Sequence, residues 1–122
     1  MMILADTSIW IDHLQKAEPG LVRLLENDQV LMHPWVRGEL ALGSIKDRLK
    51  FIDYLAWLPE LRPVGDAEIM ETVERRNLSG RGMGWVDAGL LAACLAWPCR
   101  VWTRDKRLAD IAAELGAGYS EG

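Results

Sequence analysis

The stretch that decides the fold is MILADTSIWID, residues 2–12. Its unbroken apolar run, residues 2–5, is typical of a strand that is buried on both faces of a parallel sheet. The run ends at Asp6, and apolar residues then return at the spacing of a helix that begins near Ser8. Asp6 is therefore predicted at the carboxyl end of a strand, along the edge where open α/β sheets bind their ligands. Helix capping is the alternative for this residue, since aspartate is among the best N-cap residues.

Composition narrows the classes of protein. The chain has 122 residues, half of them apolar, and a net charge of −4, and this length predicts a single domain over residues 1–122. It has neither an apolar run long enough to span a bilayer nor the start of a signal peptide, so we expect a cytoplasmic protein with no membrane association. The two cysteines, Cys94 and Cys99, are expected as thiols, Cys94 as a small buried hydrophobe. The net charge argues against general attraction to nucleic acid, but not against a nuclease with a carboxylate-rich metal site.

Strands and helices are predicted to alternate along the rest of the chain. Apolar runs predict further strands at residues 30–32, 61–64, 100–103 and 118–120. Helical spacing and end signals predict seven helices. The first starts near residue 8, the second ends near 27–28, and the next two cover 35–42 and 45–57. The fifth has its N-cap at Asp66, the sixth carries Asp87 in its first turn, and the seventh ends at Gly116. The helix after Asp66 is expected to point Ile69, Met70 and Val73 inward. Such alternation predicts a three-layer α/β/α sandwich around a mainly parallel sheet.

Four acidic residues are the candidates for chemistry. Asp105 follows a strand as Asp6 does, so a parallel sheet brings both to one edge. Asp87 begins a helix behind the glycine-rich loop 79–84, and Glu39 lies in an otherwise apolar helix. Carboxylates that converge in this way repel each other unless a cation lies between them. The combination therefore predicts a site for a hard divalent cation.

Each acid also has a structural alternative when it is taken singly. Asp87 and Asp105 fit helix N-caps, and Glu39 fits a solvated helix face. If the acids do bind metal, the absence of a nearby Cys or His ligand pattern favours Mg²⁺ or Mn²⁺ over zinc. The two histidines, His13 and His33, are unpaired in spacing and are not expected to be ligands.

The acidic segments together resemble a known family. MILADTSIWID, GMGWVDAGLLAA around Asp87 and VWTRDKRLADIA around Asp105, with Glu39 between them, are similar to a PIN-domain ribonuclease, and most of all to the VapC-type toxins of bacterial toxin–antitoxin pairs. The resemblance covers nearly the whole chain in order. It implies an Mg²⁺- or Mn²⁺-dependent endoribonuclease in which Asp6 and the other three acids are both metal ligands and catalytic residues.

The resemblance also implies supporting residues and partners. Hydroxyl groups commonly support such a site, and Thr7, Ser8 and Thr103 are available here, with helix capping and turn bonding as their alternative. The implied partners are an RNA substrate, a cognate VapB-like antitoxin that covers the site, and a second copy of the chain in a homodimer.

Basic and aromatic residues are further candidates for RNA contacts. Three basic residues are candidates for contact with RNA phosphates, with solvated surface as the favoured alternative: Arg37, Arg81 and Arg104. Core packing is the default for the six tryptophans, and Trp35 and Trp57 are the two suspected of binding a base or a partner.

Rival families fit less well. A receiver domain needs paired acids early in the chain and a lysine after a late strand, but Thr7 follows Asp6 and Arg104 follows Thr103. A haloacid-dehalogenase-like phosphatase needs a second aspartate where this chain has Ser8. A PIN nuclease that is not a toxin and a non-catalytic regulatory binding module are the remaining alternatives, and the presence of all four acids argues against the module.

Overall fold

Three short parallel strands form the centre of the protein in this computed structural model, which describes residues 1–121. The strands are β1 (Ile3–Ala5), β2 (Val30–Leu31) and β3 (Arg100–Trp102), in the order β2-β1-β3. All three residues of β1 are buried. Because successive residues of a strand point to opposite faces, both faces of the sheet must be covered. The predicted three-layer α/β sandwich with a parallel sheet is therefore confirmed.

Helices account for most of the described chain. The seven in residues 1–121 are α1 (Thr7–Gln15), α2 (Pro19–Glu26), α3 (Pro34–Ala41), α4 (Arg48–Leu55), α5 (Asp66–Arg75), α6 (Trp85–Ala96) and α7 (Lys106–Glu114). None of the helices in this part of the chain is long and apolar enough to cross a bilayer.

Two of the predicted strands are wrong. Residues 61–64 form no strand, and the bridge between Met32 and Glu60 lies just before them; Pro63 has no N–H to continue a ladder. At residues 118–120 there is again only one bridge, in which Gly118 pairs with Val101 beside β3.

Two helices differ from prediction at their ends and faces. The helix predicted over 45–57 is the shorter α4, since Asp47 has a left-handed backbone with φ of 52° and interrupts any earlier start. Gly65, not Asp66, is the N-cap residue of α5. Within α5, Ile69 is fully buried as expected, but the adjacent Met70 is exposed, because neighbouring helical residues point about 100° apart and this helix buries a narrow face.

Helix α6 is the main helix of the core, with seven buried residues from Ala88 to Cys94. Its glycine lets α3 approach closely: a Cβ added to Gly89 would lie 2.3 Å from Cζ3 of Trp35. At the other end of α6, both cysteines are buried and unbridged, with their Sγ atoms 2.7 Å apart. The prediction of a buried Cys94 is confirmed.

The contact between α3 and α6 gives a test of the fold. Gly89→Ala should lower the free energy of unfolding by about 1–3 kcal/mol, because the added methyl group overlaps the Trp35 ring. Gly38→Ala is the matched control, since Gly38 is also helical and has open space around its Cα. That control should gain roughly 0.5–1 kcal/mol. Urea unfolding followed by circular dichroism measures both, and a Gly89→Ala variant as stable as the wild type would contradict the packing.

Candidate active site

The turns that follow β1 and β3 lie side by side and are hydrogen-bonded to each other. The Asp6 N–H donates to the carbonyl of Trp102 at 3.0 Å, and the Arg104 N–H donates to Oγ of Ser8 at 3.0 Å. Ser8 Oγ in turn donates to Oδ1 of Asp6. The segment that carries Asp105 is therefore tied to the segment that carries Asp6.

Asp6 caps a helix with only one of its two carboxylate oxygens. Oδ1 accepts hydrogen bonds from the N–H groups of Ser8 at 3.0 Å and Ile9 at 3.4 Å. No hydrogen bond between described residues uses Oδ2. This oxygen is accessible to solvent. Within residues 1–121, Trp10 Nε1 is the only side-chain nitrogen or oxygen that is both completely buried and without a hydrogen-bond partner, so Oδ2 is not completely buried. The capping alternative is thus correct for Asp6, and it leaves the second oxygen for a ligand.

Asp105 repeats this arrangement at the start of α7. Its Oδ1 accepts from the Leu108 N–H at 3.1 Å, and its own N–H donates to Oγ1 of Thr103 at 3.0 Å. Oδ2 takes part in no hydrogen bond of the described chain. Thr103 therefore fixes the turn that carries the acid, which is the turn-bonding alternative for this hydroxyl group.

Glu39 reaches the same region from α3. The hydroxyl group of Thr7 donates to Glu39 Oε1 at 2.6 Å, and this bond joins α1 to α3. The side chain is exposed, as the solvated-face alternative expected, but it is also held toward the other acids. A cavity of about 370 Å³ lies between them, lined by Asp6, Thr7, Glu39, Gly84, Trp85, Val86, Asp87 and Leu90.

Asp87 is the acid with the least compensation. It lies in the first turn of α6, whose N-cap position is taken by Gly84, so the capping alternative is wrong for this residue. Asp87 is half-buried, and its carboxylate accepts no hydrogen bond from another described residue. Burial, followed by the charges of Asp105, Asp6 and Glu39 in that order, raises the pKa of Asp87 to about 6. The four carboxylates therefore share one electrostatic site.

The donor chemistry of this site fits a hard divalent cation. Among the described residues that line the cavity, the side chains with oxygen atoms are three carboxylates and one hydroxyl group, which suits Mg²⁺ or Mn²⁺. As they lie, no three His, Cys, Asp or Glu side chains within residues 1–121 are arranged so that they could hold an ion. That the four carboxylates are not gathered around one point agrees with their mutual repulsion and with the hydrogen bonds that hold Oδ1 of Asp6 and Oδ1 of Asp105. A cation would have to draw the remaining oxygens together.

The three arginines predicted to contact phosphate all form ion pairs within the protein. Arg37 pairs with Glu60, Arg81 pairs with Glu114 at 2.6 Å, and Arg104 pairs with Asp12 at 2.9 Å and with Glu18 at 2.6 Å. All these pairs are at the surface, where such contacts contribute little stability and exchange with solvent. A role in binding RNA stays a prediction for each arginine.

The tryptophan beside the site is one that the sequence did not single out. Trp57 is 88% exposed, but it does not line the cavity between the acids. Trp35 is half-buried and lies next to Glu39 in a neighbouring cavity. Trp85 is 43% exposed and lines both cavities. The sequence signal for this residue is its position two residues before Asp87 in the same helical turn, which places it near the acids.

Comparison with known proteins gives consistent matches. Residues 3–114, which include all four acids, match the family model described as the PIN domain. The chain is 50% identical over 121 residues to "Ribonuclease VapC32" of Mycobacterium tuberculosis strain CDC 1551 / Oshkosh, and the match covers 98% of each chain. The protein of the same name from strain ATCC 25618 / H37Rv matches with the same identity and coverage.

The pKa of Asp87 predicts how stability depends on pH without metal. Ionised Asp87 is disfavoured in the folded chain, so the wild type should lose stability as pH rises from the ordinary value of 3.8 to about 6. Asp87→Asn removes this loss. In EDTA at pH 7.5 the variant should be more stable by about 1 kcal/mol, an amount discounted for the half-exposed position.

The difference between the variant and the wild type should shrink as pH falls to 4 and vanish below about pH 3, where the wild-type carboxyl is protonated in both the folded and the unfolded state. Thermal unfolding at several pH values measures it. Asp110→Asn is the control, since Asp110 is exposed on α7 and pairs only with Lys106. An Asp87→Asn effect that is the same at pH 4 and pH 7.5 would contradict the assigned electrostatics.

Proposed function

The chain belongs to the PIN-domain family, and from this membership we propose that it is a metal-dependent endoribonuclease, the toxin of a type II toxin–antitoxin pair. The observation that carries the proposal is the uncompensated carboxylate of Asp87, which lines one cavity with Asp6 and Glu39 and is also close enough to Asp105 for that charge to raise its pKa. A carboxyl group whose pKa is raised by burial and by neighbouring acids in this way is typical of functional sites rather than of the structural core.

The four acids are the proposed ligands and catalytic residues. Asp6, Glu39 and Asp105 each have one oxygen held by the protein and one left for a ligand, while Asp87 has both oxygens without a hydrogen bond from a described residue. Bound at this site, Mg²⁺ or Mn²⁺ would supply charge neutralisation and an acidified water for in-line displacement at an RNA phosphorus.

The residues of the chain would supply positioning. The caps at Asp6 and Asp105 fix two carboxylates on turns that are hydrogen-bonded to each other, so their separation is set by the pairing of β1 with β3. Thr7 holds Glu39 in place from a third element. Such support orients ligands and limits the reorganisation needed when a cation binds. The proposed supporting roles of Ser8 and Thr103 thus coincide with their hydrogen bonds in the cap and the turn, whereas Thr7 would support Glu39 through a bond between two helices.

The partners follow from the name of the relatives. A ribonuclease named VapC32 supports an RNA substrate and a cognate VapB-like antitoxin for this chain. We also propose that the chain forms a homodimer and acts in the cytoplasm. The accessible cavity beside Asp87 and Glu39 is the surface that an antitoxin would have to cover in order to inhibit cleavage.

Substitution of the acids tests the reaction. Asp6→Asn and Asp87→Asn should each lower RNA cleavage by about 100-fold or more, a larger loss than the 10–100-fold typical of residues that only support ligands. The assay is cleavage of labelled single-stranded and structured RNA by the toxin freed of any partner, with Mg²⁺, Mn²⁺ or EDTA. Asp110→Asn should retain wild-type activity. Cleavage that persists in EDTA or in both site variants would rule out the mechanism.

The hydrogen bond from Thr7 gives a finer test. Thr7→Val keeps the shape of the side chain and removes the donor to Glu39, so affinity for Mn²⁺ should fall by about tenfold. Thr7→Ser keeps the hydroxyl group and should bind Mn²⁺ nearly as well as the wild type. Calorimetric titration with Mn²⁺ measures both, and equal affinities of the Val and Ser variants would show that this bond does not support the site.

A further inference from the structure

We propose that Trp85 and Trp35 form a binding site for one unpaired nucleobase, next to the phosphodiester that the acidic site cleaves. The inference rests on the proposed ribonuclease function and names the class of substrate, which is RNA with an unstacked base at the cleavage position. It is carried by a second cavity that adjoins the acidic one and has a different chemical character.

The second cavity has a volume of about 320 Å³ and shares Glu39, Trp85 and Val86 with the acidic cavity. Its other lining residues are Pro34, Trp35 and Gly38. Trp85 thus lines both spaces, two residues before Asp87. A group bound in the second cavity would be directly adjacent to a group bound between the acids.

The two tryptophans that line this cavity differ in how tightly they are packed. Trp35 is fixed, since its ring packs directly on the backbone of α6 at Gly89 and lies 5.3 Å from the ring of His33. Trp85 is in the first turn of α6 and leaves 43% of its surface exposed, although most large aromatic side chains of a folded protein bury more of their area. An exposed indole beside a fixed aromatic wall is suited to stacking on a flat ring.

Charge decides which part of a nucleotide fits there. Among the described residues that line this cavity, Glu39 is the only charged one, and it would repel a phosphate group. The nucleobase is the uncharged, aromatic part of the same nucleotide, and the phosphate is then left for the acidic cavity, where a cation would compensate its charge. Stacking on tryptophan tolerates any base but requires one that is not paired in a helix.

Another exposed tryptophan on the same helix provides the control. Trp97 is the C-cap residue of α6 and is 53% exposed, but it lines neither of the two cavities. A general loss of aromatic surface would affect Trp97→Ala and Trp85→Ala alike. Loss of a stacking site would affect only Trp85→Ala, and Trp85→Phe should keep most of the binding.

The test is a double-mutant cycle between Trp85 and individual bases. The probes are labelled, unstructured oligoribonucleotides that carry one abasic residue at each successive position. Binding is measured by fluorescence anisotropy with Ca²⁺, a hard cation of flexible geometry, in place of Mn²⁺. The cleavage position of the intact oligonucleotide is mapped separately with Mn²⁺.

Wild type and Trp97→Ala should lose about tenfold in affinity when the abasic residue flanks the cleaved phosphodiester, and Trp85→Ala should bind all probes equally, at that lower affinity. Additive losses from Trp85→Ala and the abasic residue, or a Trp85→Ala variant that binds like the wild type, would overturn the inference. If the protein cleaves RNA with Mn²⁺ but its affinity for the probes does not depend on Trp85, the proposed function stands and the base site is rejected. Dependence on Trp85 without cleavage would support the base site and reject the nuclease function.

Discussion

The parallel pairing of β1 with β3 is the interaction on which the site depends, because it brings carboxylates together against their mutual repulsion. Four carboxylates face one region of the surface, and folding places them there because β1 and β3 are adjacent and parallel. The pairing of Ala5 with Trp102 ends both strands at the same level, so the next residues of each segment must lie along the same edge. Asp6 and the turn to Asp105 are therefore brought together by backbone hydrogen bonds, which do not depend on the charge of either side chain. The stability of the sheet, buried on both faces, overcomes the repulsion.

Much of the site could be predicted from the sequence because Asp6 and Asp105 are placed by local patterns. An apolar run followed by an acid predicts both a strand end and a carboxylate at it. For Glu39 taken alone, the helical spacing favours a solvated face, because the bond from Thr7 that decides its direction joins residues 32 positions apart. Patterns of residues close in sequence do not contain such a contact.

The errors share one physical cause, which is that a local pattern does not show which contacts a segment makes with the rest of the fold. Residues 61–64 have an apolar pattern, but Pro63 ends any ladder after the bridge at Glu60. Met70 was placed inward from its residue type, whereas the width of the buried face of α5 is set by its packing on α6. Trp85 was overlooked for the same reason, because its exposure depends on the cavity between α3 and α6 and not on its neighbours in sequence.

The capping hydrogen bonds explain how a site of this kind is compatible with a stable fold. A carboxylate that only binds a cation is a cost whenever the cation is absent, as the raised pKa of Asp87 shows. Asp6 and Asp105 avoid much of that cost, since one oxygen of each accepts N–H groups at a helix start, where the helix dipole favours negative charge. The same bonds fix the position of the second oxygen. Capping and the proposed ligand binding are thus compatible in one side chain, and Asp87, which has no cap to make, is the acid that a bound cation would stabilise most.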